Sequence, residues 1–380
     1  MNRIFNILKK KIYYLFVLGT FLACVEPFEI NYGSQKEILF IEADINDLDT
    51  EQFVRIRRNT PSDKNIDFFS VEKAKVQVIE NETKVYDCTY AEGGKYYLPE
   101  GFLGKIGVPY KLRFELNGKT YESSNETANK VAPIEKIYSV LSPNGIIYKD
   151  KNIDGHEIYI DTKDINTDKQ FYLWQWRLFE KQGYCKSCEG GRFNVNPLPL
   201  GKCVDDANLK RRGTTYDYLC NKDCWDIFYN EDVNVMSDKY ANGQNITGRL
   251  IAKIPFFQFR NALIEVQQYS ISQSAFEYFN ILINQTQRNG SLADTPPAGL
   301  IGNVKNINDS TEPIGGVFMV SSKASKTFVI NRTEMSAGIK AIGFTNGRPI
   351  TPEPSAISPP AAPCIASQNR TDKKPLGWVE

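Results

Sequence analysis

The chain has 380 residues, 12% of them aromatic and 24% charged, and its 46 basic residues nearly balance its 45 acidic ones. It is too long for one ordinary domain, fits two, and has enough apolar residues to bury a large core. A net charge of +1 argues against a nucleic-acid partner, and a single histidine, His156, argues against histidine-based nucleophilic or zinc catalysis.

The N-terminus has the composition of a bacterial lipoprotein signal. Lys9–Lys11 are basic, residues 12–23 carry no charge, and Cys24 follows the small residue Ala23. The uncharged run is too short to span a bilayer, which needs roughly 20 apolar residues. We therefore predict a signal peptide at 1–23 and acyl chains on Cys24 that anchor the mature protein.

Short alternating strands dominate the region that follows a polar tether at 24–35. Tyr110–Leu116 and Lys119–Ser123 alternate apolar and polar residues on either side of Asn117-Gly118. That dipeptide is typical of a type I′ hairpin turn. About seven such strands without helical periodicity predict an antiparallel β-sandwich, Ig-like or prealbumin-like, at 36–130.

A second β-rich domain is predicted at 131–380. Residues 130–145 include Pro-Asn-Gly and indicate a connection between the two domains. Gln170–Leu178 is typical of a strand that places Trp174 and Trp176 on one face. We interpret this aromatic face as part of a core rather than as a sugar-stacking surface.

One helix is predicted, at 273–289. Ser272 can cap its N-terminus, and aromatic residues follow at helical spacing, so we expect the helix to pack on a sheet. Further along, Gly316–Ser321 and Lys326–Ile330 predict a closing hairpin. The fold class is thus mainly β, with one packed helix.

The region 183–231 lacks strand periodicity and carries five of the eight cysteines. Their spacing superficially suggests zinc, but an exported chain meets an oxidising compartment and no histidine joins the cluster. We predict a loop-like insertion with three disulfides of open pairing and a buried free thiol at Cys88. A disulfide of Cys364 would attach a proline-rich tail at 348–380 to the rest of the protein. Trp378, near the end of this tail, would pack against the surface. The disulfide candidates are Cys185, Cys188, Cys203, Cys220, Cys224 and Cys364.

Two short patterns point to other ligands. Asp150, Asn152 and Asp154 match the start of a calcium loop, with Asp161 at its twelfth position. The alternative, which we prefer, is a polar hairpin turn without a cofactor. Ser310 lies in an Asp-Ser-Thr tripeptide, a short acidic-hydroxyl motif at which some Bacteroidetes attach O-glycans, although an ordinary loop explains it equally well.

Two stretches resemble a known family. They are Tyr269–Gly290, followed by Pro296-Pro297 and Gly315-Gly316-Val317-Phe318, and Gly94–Leu112 with its Gly-Lys-Ile-Gly-Val-Pro-Tyr run. The family is a group of Bacteroidetes lipoproteins catalogued as a domain of unknown function, whose genes lie beside those of TonB-dependent, SusC-type receptors. The resemblance implies a surface-exposed outer-membrane lipoprotein that partners such a barrel, and it transfers no catalytic residues.

Three functions remain open on the sequence. The first is a non-catalytic accessory or binding partner of a TonB-dependent barrel, held to the bilayer by acyl chains on Cys24. The second is a free-standing glycan-binding adhesin that uses exposed aromatic side chains. The third is a hydrolase with paired carboxylates, which need only meet in space. Missing catalytic motifs and the single histidine weigh against the third function, and we predict the first.

Overall fold

The structure is a computed structural model. It describes residues 37–61, 66–165, 169–196, 198, 200–286, 301–332, 338–344, 348–354 and 358–379. Ile38–Asn59 and Phe68–Glu380 form one compact unit, and the other, Met1–Glu37 with Thr60–Asp67, lies almost entirely outside the described residues. No helix in the described ranges is long and apolar enough to cross a membrane.

The described residues before 130 form nine strands. These are β1 (Leu39–Asn46), β2 (Phe53–Pro61), β3 (Ile66–Ser70), β4 (Lys75–Glu80), β5 (Lys84–Asp87), β6 (Thr89–Tyr90), β7 (Lys95–Tyr97), β8 (Tyr110–Leu116) and β9 (Lys119–Ser123). The predicted turn between β8 and β9 is present, with a positive φ of 51° at Asn117 and 76° at Gly118. Positive φ at both residues is what a type I′ hairpin requires.

Fourteen strands and two helices follow in the described chain. The strands are β10 (Ile134–Tyr148), β11 (Lys151–Lys163), β12 (Phe171–Lys181), β13 (Tyr184–Glu189), β14 (Gly191–Asn194), β15 (Lys202–Asp205), β16 (Thr215–Leu219), β17 (Trp225–Tyr229), β18 (Asn234–Ser237), β19 (Asn245–Pro255), β20 (Ala262–Ile271), β21 (Val304–Asn306), β22 (Ile314–Ile330) and β23 (Arg370–Thr371). The helices are α1 (Ala207–Arg212) and α2 (Gln273–Thr286). The mainly β fold class is confirmed.

One 11-stranded sheet runs through the domain boundary predicted near residue 130. Its main path is β23-β17-β12-β20-β22-β1-β2-β7-β6, and β1 pairs with β22 in parallel, Leu39 opposite Ile314. A second sheet, β21-β9-β8-β4-β5, also takes a strand from the C-terminal half. Residues 36–130 are therefore not a self-contained domain, because strands from beyond residue 300 complete both sheets of the sandwich.

Two large apolar cores lie between the sheets. In the first, Ile41 of β1 and Phe114 of β8 are buried together with Phe318 of β22. In the second, Trp174 of β12 is buried with Ile158 of the three-stranded sheet β10-β11-β19. The interpretation of the aromatic face of β12 as core is thus confirmed for Trp174, which is 1% exposed.

The connection predicted at 130–145 is wrong, because β10 is a 15-residue strand that begins at Ile134. The Pro-Asn-Gly tripeptide lies where the pairing with β11 shifts register, between Ser142 and Ile146, and Asn144 has a φ of 53°. Extra residues in a bulge interrupt the ladder locally without ending the strand. The Pro-Asn-Gly tripeptide, which is typical of a turn, forms a bulge within β10 instead.

The closing hairpin predicted after residue 315 is also wrong, since β22 runs unbroken over 17 residues. Its polar middle remains in the sheet because carboxylates satisfy the hydroxyl groups. Ser321 Oγ donates to Asp44 Oδ1 at 2.5 Å, and Ser322 Oγ donates to Asp47 Oδ2 at 2.7 Å. Both acceptors lie at or just beyond the end of β1, the parallel neighbour of β22.

Helix α2 packs on the sheet, as predicted. The hydroxyl of Ser272 accepts the backbone N–H of Ala275 at 3.4 Å, which places the cap where the sequence indicated it. Phe276 and Phe279 join an apolar cluster with residues of β12, β20 and β22. The predicted end of the helix, 287–289, lies outside the described residues.

Candidate functional site

All six predicted disulfide cysteines are paired. The bonds are Cys185–Cys220, Cys188–Cys203 and Cys224–Cys364. The insertion at 183–231 is more regular than a loop, since β13 pairs with β16 and β14 with β15. The Sγ atoms of Cys185, Cys224 and Cys364 lie within 4.8 Å of one another. Zinc binds thiolates, however, so these disulfide sulfurs are not a zinc site.

The tail at 348–380 is fastened at several points. Besides the bond between Cys224 and Cys364, Trp378 packs edge-on against Trp225, with ring centroids 5.8 Å apart. Arg348 pairs with Asp217 at 2.6 Å. Burial opposes ionisation of Asp217, but hydrogen bonds, foremost from Arg348, hold the pKa of its carboxyl below its usual value. The tail thus covers the disulfide-rich insertion.

The residues of the predicted calcium loop are not brought together. Asp150 occupies the two-residue turn between β10 and β11, where it has a φ of 60°, whereas Asn152 and Asp154 lie in β11. The Asp154 carboxylate already accepts two backbone N–H groups, each at 2.8 Å. Asp161 lies about 20 Å further along the same extended strand. This geometry fits the polar hairpin turn.

His156 is a core residue. It is 2% exposed and stacks on Phe256, with ring centroids 5.9 Å apart. Neither ring nitrogen has a hydrogen-bond partner among the described residues. Burial and, to a lesser extent, the positive charge of Arg332 lower its pKa to about 4. The imidazole is therefore neutral near pH 7 and out of reach of a substrate.

The other predicted sites lie apart from one another. Ser310 is exposed in the loop between β21 and β22, and its glycosylation stays a prediction. Cys88 is half-buried against the first core, and burial raises the pKa of its thiol to about 12. Cys24 lies outside the described residues. The structure therefore does not combine the predicted residues into one site.

A slot of about 500 Å³ opens at the side of the second sandwich, and the sequence reasoning missed it. β12 contributes Trp176 and Leu178 to its lining, and we call these two residues the floor. Residues 250–255 of β19 and residues 230–233, between β17 and β18, also line the slot. We call this cavity the edge slot.

The edge slot exists because β12 has two successive neighbours on one side. β17 pairs with residues 177–181 of β12, and β18 pairs with residues 171–174. Between them, Asn230 replaces a strand partner: its side-chain oxygen accepts the N–H of Trp176 at 3.2 Å, and its own N–H donates to the carbonyl of Trp176 at 3.3 Å. The chain then leaves the sheet at 231–233, beside the slot.

Side chains meet at both ends of the stretch of residues 250–257 that lines the edge slot. At one end, Asn234 Nδ2 donates to the carbonyl of Leu250 at 2.9 Å, and the guanidinium of Arg249 donates to the backbone of β18 at 3.3 Å. At the other end, Phe257 stacks on Phe228, with ring centroids 4.7 Å apart. Between these contacts, the side chain of Lys253 is exposed to solvent.

The surface of the edge slot combines aromatic rings with a few polar groups. Trp176 and Phe228 are half-buried, and Tyr229 is 40% exposed. Glu231 and Asp232 are exposed at the rim. Apolar surface with few polar groups is typical of binding sites. The sequence signal for this site was the polar Asn-Glu-Asp run, which lay at the end of the segment interpreted as a cysteine-rich loop.

Several carboxylates elsewhere in the described residues hold the fold together. Glu80 bonds the ammonium of Lys105 at 2.6 Å, and Glu312 bonds that of Lys119 at 2.8 Å. Asp206 caps α1 by accepting two backbone N–H groups. None of these three carboxylates lines the edge slot. The chemistry that the slot offers is binding through aromatic, amide and backbone groups.

A family model matches residues 25–327, which include the edge slot and most strands of both sandwiches. No curated protein matches the chain. The match covers well over half of the sequence. The protein therefore belongs to the family described as Domain of unknown function (DUF4249).

Proposed function

We propose that this protein is an outer-membrane lipoprotein, anchored through an acylated Cys24 and exposed at the cell surface. In this role it is a non-catalytic binding partner of a TonB-dependent, SusC-type barrel. The observation that carries the binding role is the edge slot, an open aromatic cavity whose described lining residues include no catalytic constellation. The lipoprotein signal at 1–23 supports the anchor, and the family resemblance supports the barrel partner.

The three disulfides support export of the chain. Paired structural cysteines are typical of proteins outside the reducing cytoplasm. Six of the eight cysteines are paired, and Cys88 is held against an apolar core. This leaves Cys24 as the cysteine that is free for acylation.

The non-catalytic assignment rests on the state of the titratable groups. His156, the single histidine, is buried, and its pKa is lowered to about 4. Glu180, the one carboxylate of β12, is buried and paired with Arg332. Groups engaged in this way stabilise the fold, and the edge slot presents only exposed carboxylates, Glu231 and Asp232, at its rim.

Metabolic labelling tests the anchor. Cells that express the full-length chain are grown with radiolabelled palmitate, and the protein is purified from membranes. We expect label on the wild-type chain and on Cys88→Ser, which serves as the matched cysteine control, and none on Cys24→Ser. Label that persists on Cys24→Ser would exclude this residue as the anchor.

Affinity purification tests the partner. The tagged, lipidated chain is extracted in a mild detergent, and we expect a large β-barrel protein to be recovered with it in stoichiometric amount. Recovery of a solitary monomer would contradict the proposed role. Trp176→Arg, which replaces an aromatic ring of the slot lining with a charged side chain, shows whether the slot takes part in the barrel contact.

A glycan-binding lipoprotein is the second candidate. The observation that favours it is the aromatic surface of Trp176 and Tyr229 in the edge slot. Sugar rings stack on such side chains, and exposed carboxylates such as Glu231 can accept their hydroxyl groups. Binding of an oligosaccharide on a glycan array, lost in Trp176→Arg, would support this candidate.

A further inference from the structure

We propose that the edge slot binds an extended polypeptide segment of a partner protein, which adds to β19 as a new strand. This inference rests on the proposed binding function and names the class of ligand. Strand addition uses main-chain hydrogen bonds for affinity and pockets for alternate side chains for selectivity. The edge slot supplies both features.

The first feature is an open strand edge. Among the strands that the structure describes, β19 ends the three-stranded sheet and pairs with β11 alone. The N–H of Phe256 donates to the carbonyl of Asp154 in β11 at 2.9 Å, so this N–H faces β11. Backbone direction alternates along an antiparallel strand. Ile254 therefore faces β11 and the N–H and carbonyl of Lys253 face the edge slot.

Both ends of this edge are already capped. The carbonyl of Leu250 accepts Asn234 Nδ2, and the carbonyl of Pro255 accepts Arg332 Nη2 at 3.4 Å. The stretch between the caps is about 17 Å long at about 3.3 Å per residue. The open edge thus accommodates about five residues of an added strand, centred on Lys253.

The second feature is an apolar floor. Successive side chains of an added strand point to opposite sides. One set would contact the half-buried ring of Trp176 on the floor, and the other set would face solvent. The exposed carboxylates of Glu231 and Asp232 lie among the lining residues and can pair with cations of a bound segment. The expected occupant is therefore an alternating apolar segment that carries Lys or Arg.

An extended peptide uses more of the slot than a sugar would. The N–H and carbonyl of Lys253 lie on the outer edge of β19. The backbone of an extended peptide can form hydrogen bonds with both groups. The aromatic floor is partly covered, since Trp176 is half-buried and Leu178 is only 1% exposed. A flat ring face open to solvent, which sugar stacking needs, is thus limited here to Tyr229.

Lys253→Pro is the decisive variant, with Lys253→Ala as its matched control. Proline removes the N–H that faces the edge slot, whereas the ladder between β11 and β19 uses the neighbouring residues. Proline is tolerated on edge strands where its N–H would face outward. Alanine removes the same side chain and keeps the N–H. The two variants therefore separate backbone pairing from the charge of the lysine.

The probe is a phage-displayed library of random octapeptides, selected on the full lipidated chain in detergent. We expect enriched peptides with alternating apolar residues that bind Lys253→Ala within a few-fold of wild type and Lys253→Pro at least tenfold more weakly. Synthetic copies N-methylated at alternate residues should lose binding to the wild-type chain. These copies keep the test valid even where Lys253→Pro fails to fold.

Equal binding to Lys253→Pro and wild type, or unchanged binding after N-methylation, would overturn the inference. So would a library that yields no slot-dependent peptide, or a glycan that occupies the slot instead. Recovery of a β-barrel with the tagged chain tests the proposed function separately. A barrel that co-purifies while no peptide binds would refute strand addition and leave the proposed function standing.

Discussion

Arg332 and Glu180 form an ion pair that solvent does not reach. Arg332 Nη1 lies 2.7 Å from Glu180 Oε1, and both side chains are 0% exposed. Gln258 Nε2 donates to the other carboxylate oxygen at 2.9 Å. Because the guanidinium also donates to the carbonyl of Pro255, the pair connects β12 with the end of β19, next to the edge slot.

Removal of one partner should be far more harmful than removal of both. Arg332→Met leaves the Glu180 carboxylate buried without its counter-charge, and we expect a loss of about 3–5 kcal/mol in the free energy of unfolding. Arg332→Met with Glu180→Leu replaces the pair by apolar groups and should recover most of that loss. Urea unfolding followed by circular dichroism measures both. A loss below about 1 kcal/mol in the single variant would show that the buried charge is compensated elsewhere.

His156 should make stability depend on pH in a defined window. Its pKa is lowered from 6.5 to about 4, chiefly by burial. Above pH 6.5 the residue is neutral in both the folded and the unfolded chain, so its full contribution is present. As the pH falls towards 4, the unfolded chain binds a proton that the folded chain does not. We expect this linkage to remove about 3 kcal/mol of stability over that window.

His156→Phe separates this effect from the titration of carboxylates. The two ring nitrogens lack partners among the described residues, so phenylalanine should be tolerated at pH 7 beside Phe256. Urea unfolding between pH 7.5 and pH 5 should show a falling free energy for the wild type and a nearly flat one for the variant. Equal slopes for both proteins would assign the pH dependence to other groups.

Sequence patterns correctly predicted those structural elements that depend on residues close to them in the chain. The turn between β8 and β9 follows from the conformational freedom of Asn117 and Gly118, and the start of α2 follows from the hydroxyl of Ser272. Disulfide pairing of the cysteines was predicted because an exported chain meets an oxidising compartment. In each case the determining residues lie within a few positions of the element or in the composition of the whole chain.

Pairing between strands that are distant in the sequence was not predicted. The serines of β22 resemble a turn, but pairing with β20 and contacts with Asp44 and Asp47, 275 or more positions earlier, keep them in a strand. The edge slot likewise arises from the order of β17, β18 and β19 around β12, which no local periodicity encodes. Nothing in the sequence distinguishes Asn230 from other polar residues. Its role, as a substitute for a strand partner of Trp176, is visible only in the structure.

The bond between Cys224 and Cys364 should control the C-terminal tail. It closes a loop of 140 residues, and its removal in Cys224→Ser with Cys364→Ser should cost about 4 kcal/mol. The tail should also become accessible to trypsin at Arg370. Limited proteolysis with mass spectrometry detects the release. As a control, Cys188→Ser with Cys203→Ser opens a loop of only 15 residues and should leave cleavage of the tail unchanged.

The number of reactive thiols should be zero in the native protein and one after unfolding. Burial raises the pKa of Cys88 to about 12, so at pH 8 its thiol is protonated and shielded, and N-ethylmaleimide should not react with it. In guanidinium chloride without reductant, Cys88 alone should react, because six cysteines are paired and acylation blocks Cys24. Mass spectrometry counts the adducts. A second adduct at Cys24 would refute the acylated thiol, whereas adducts in the 183–231 insertion would refute the disulfides.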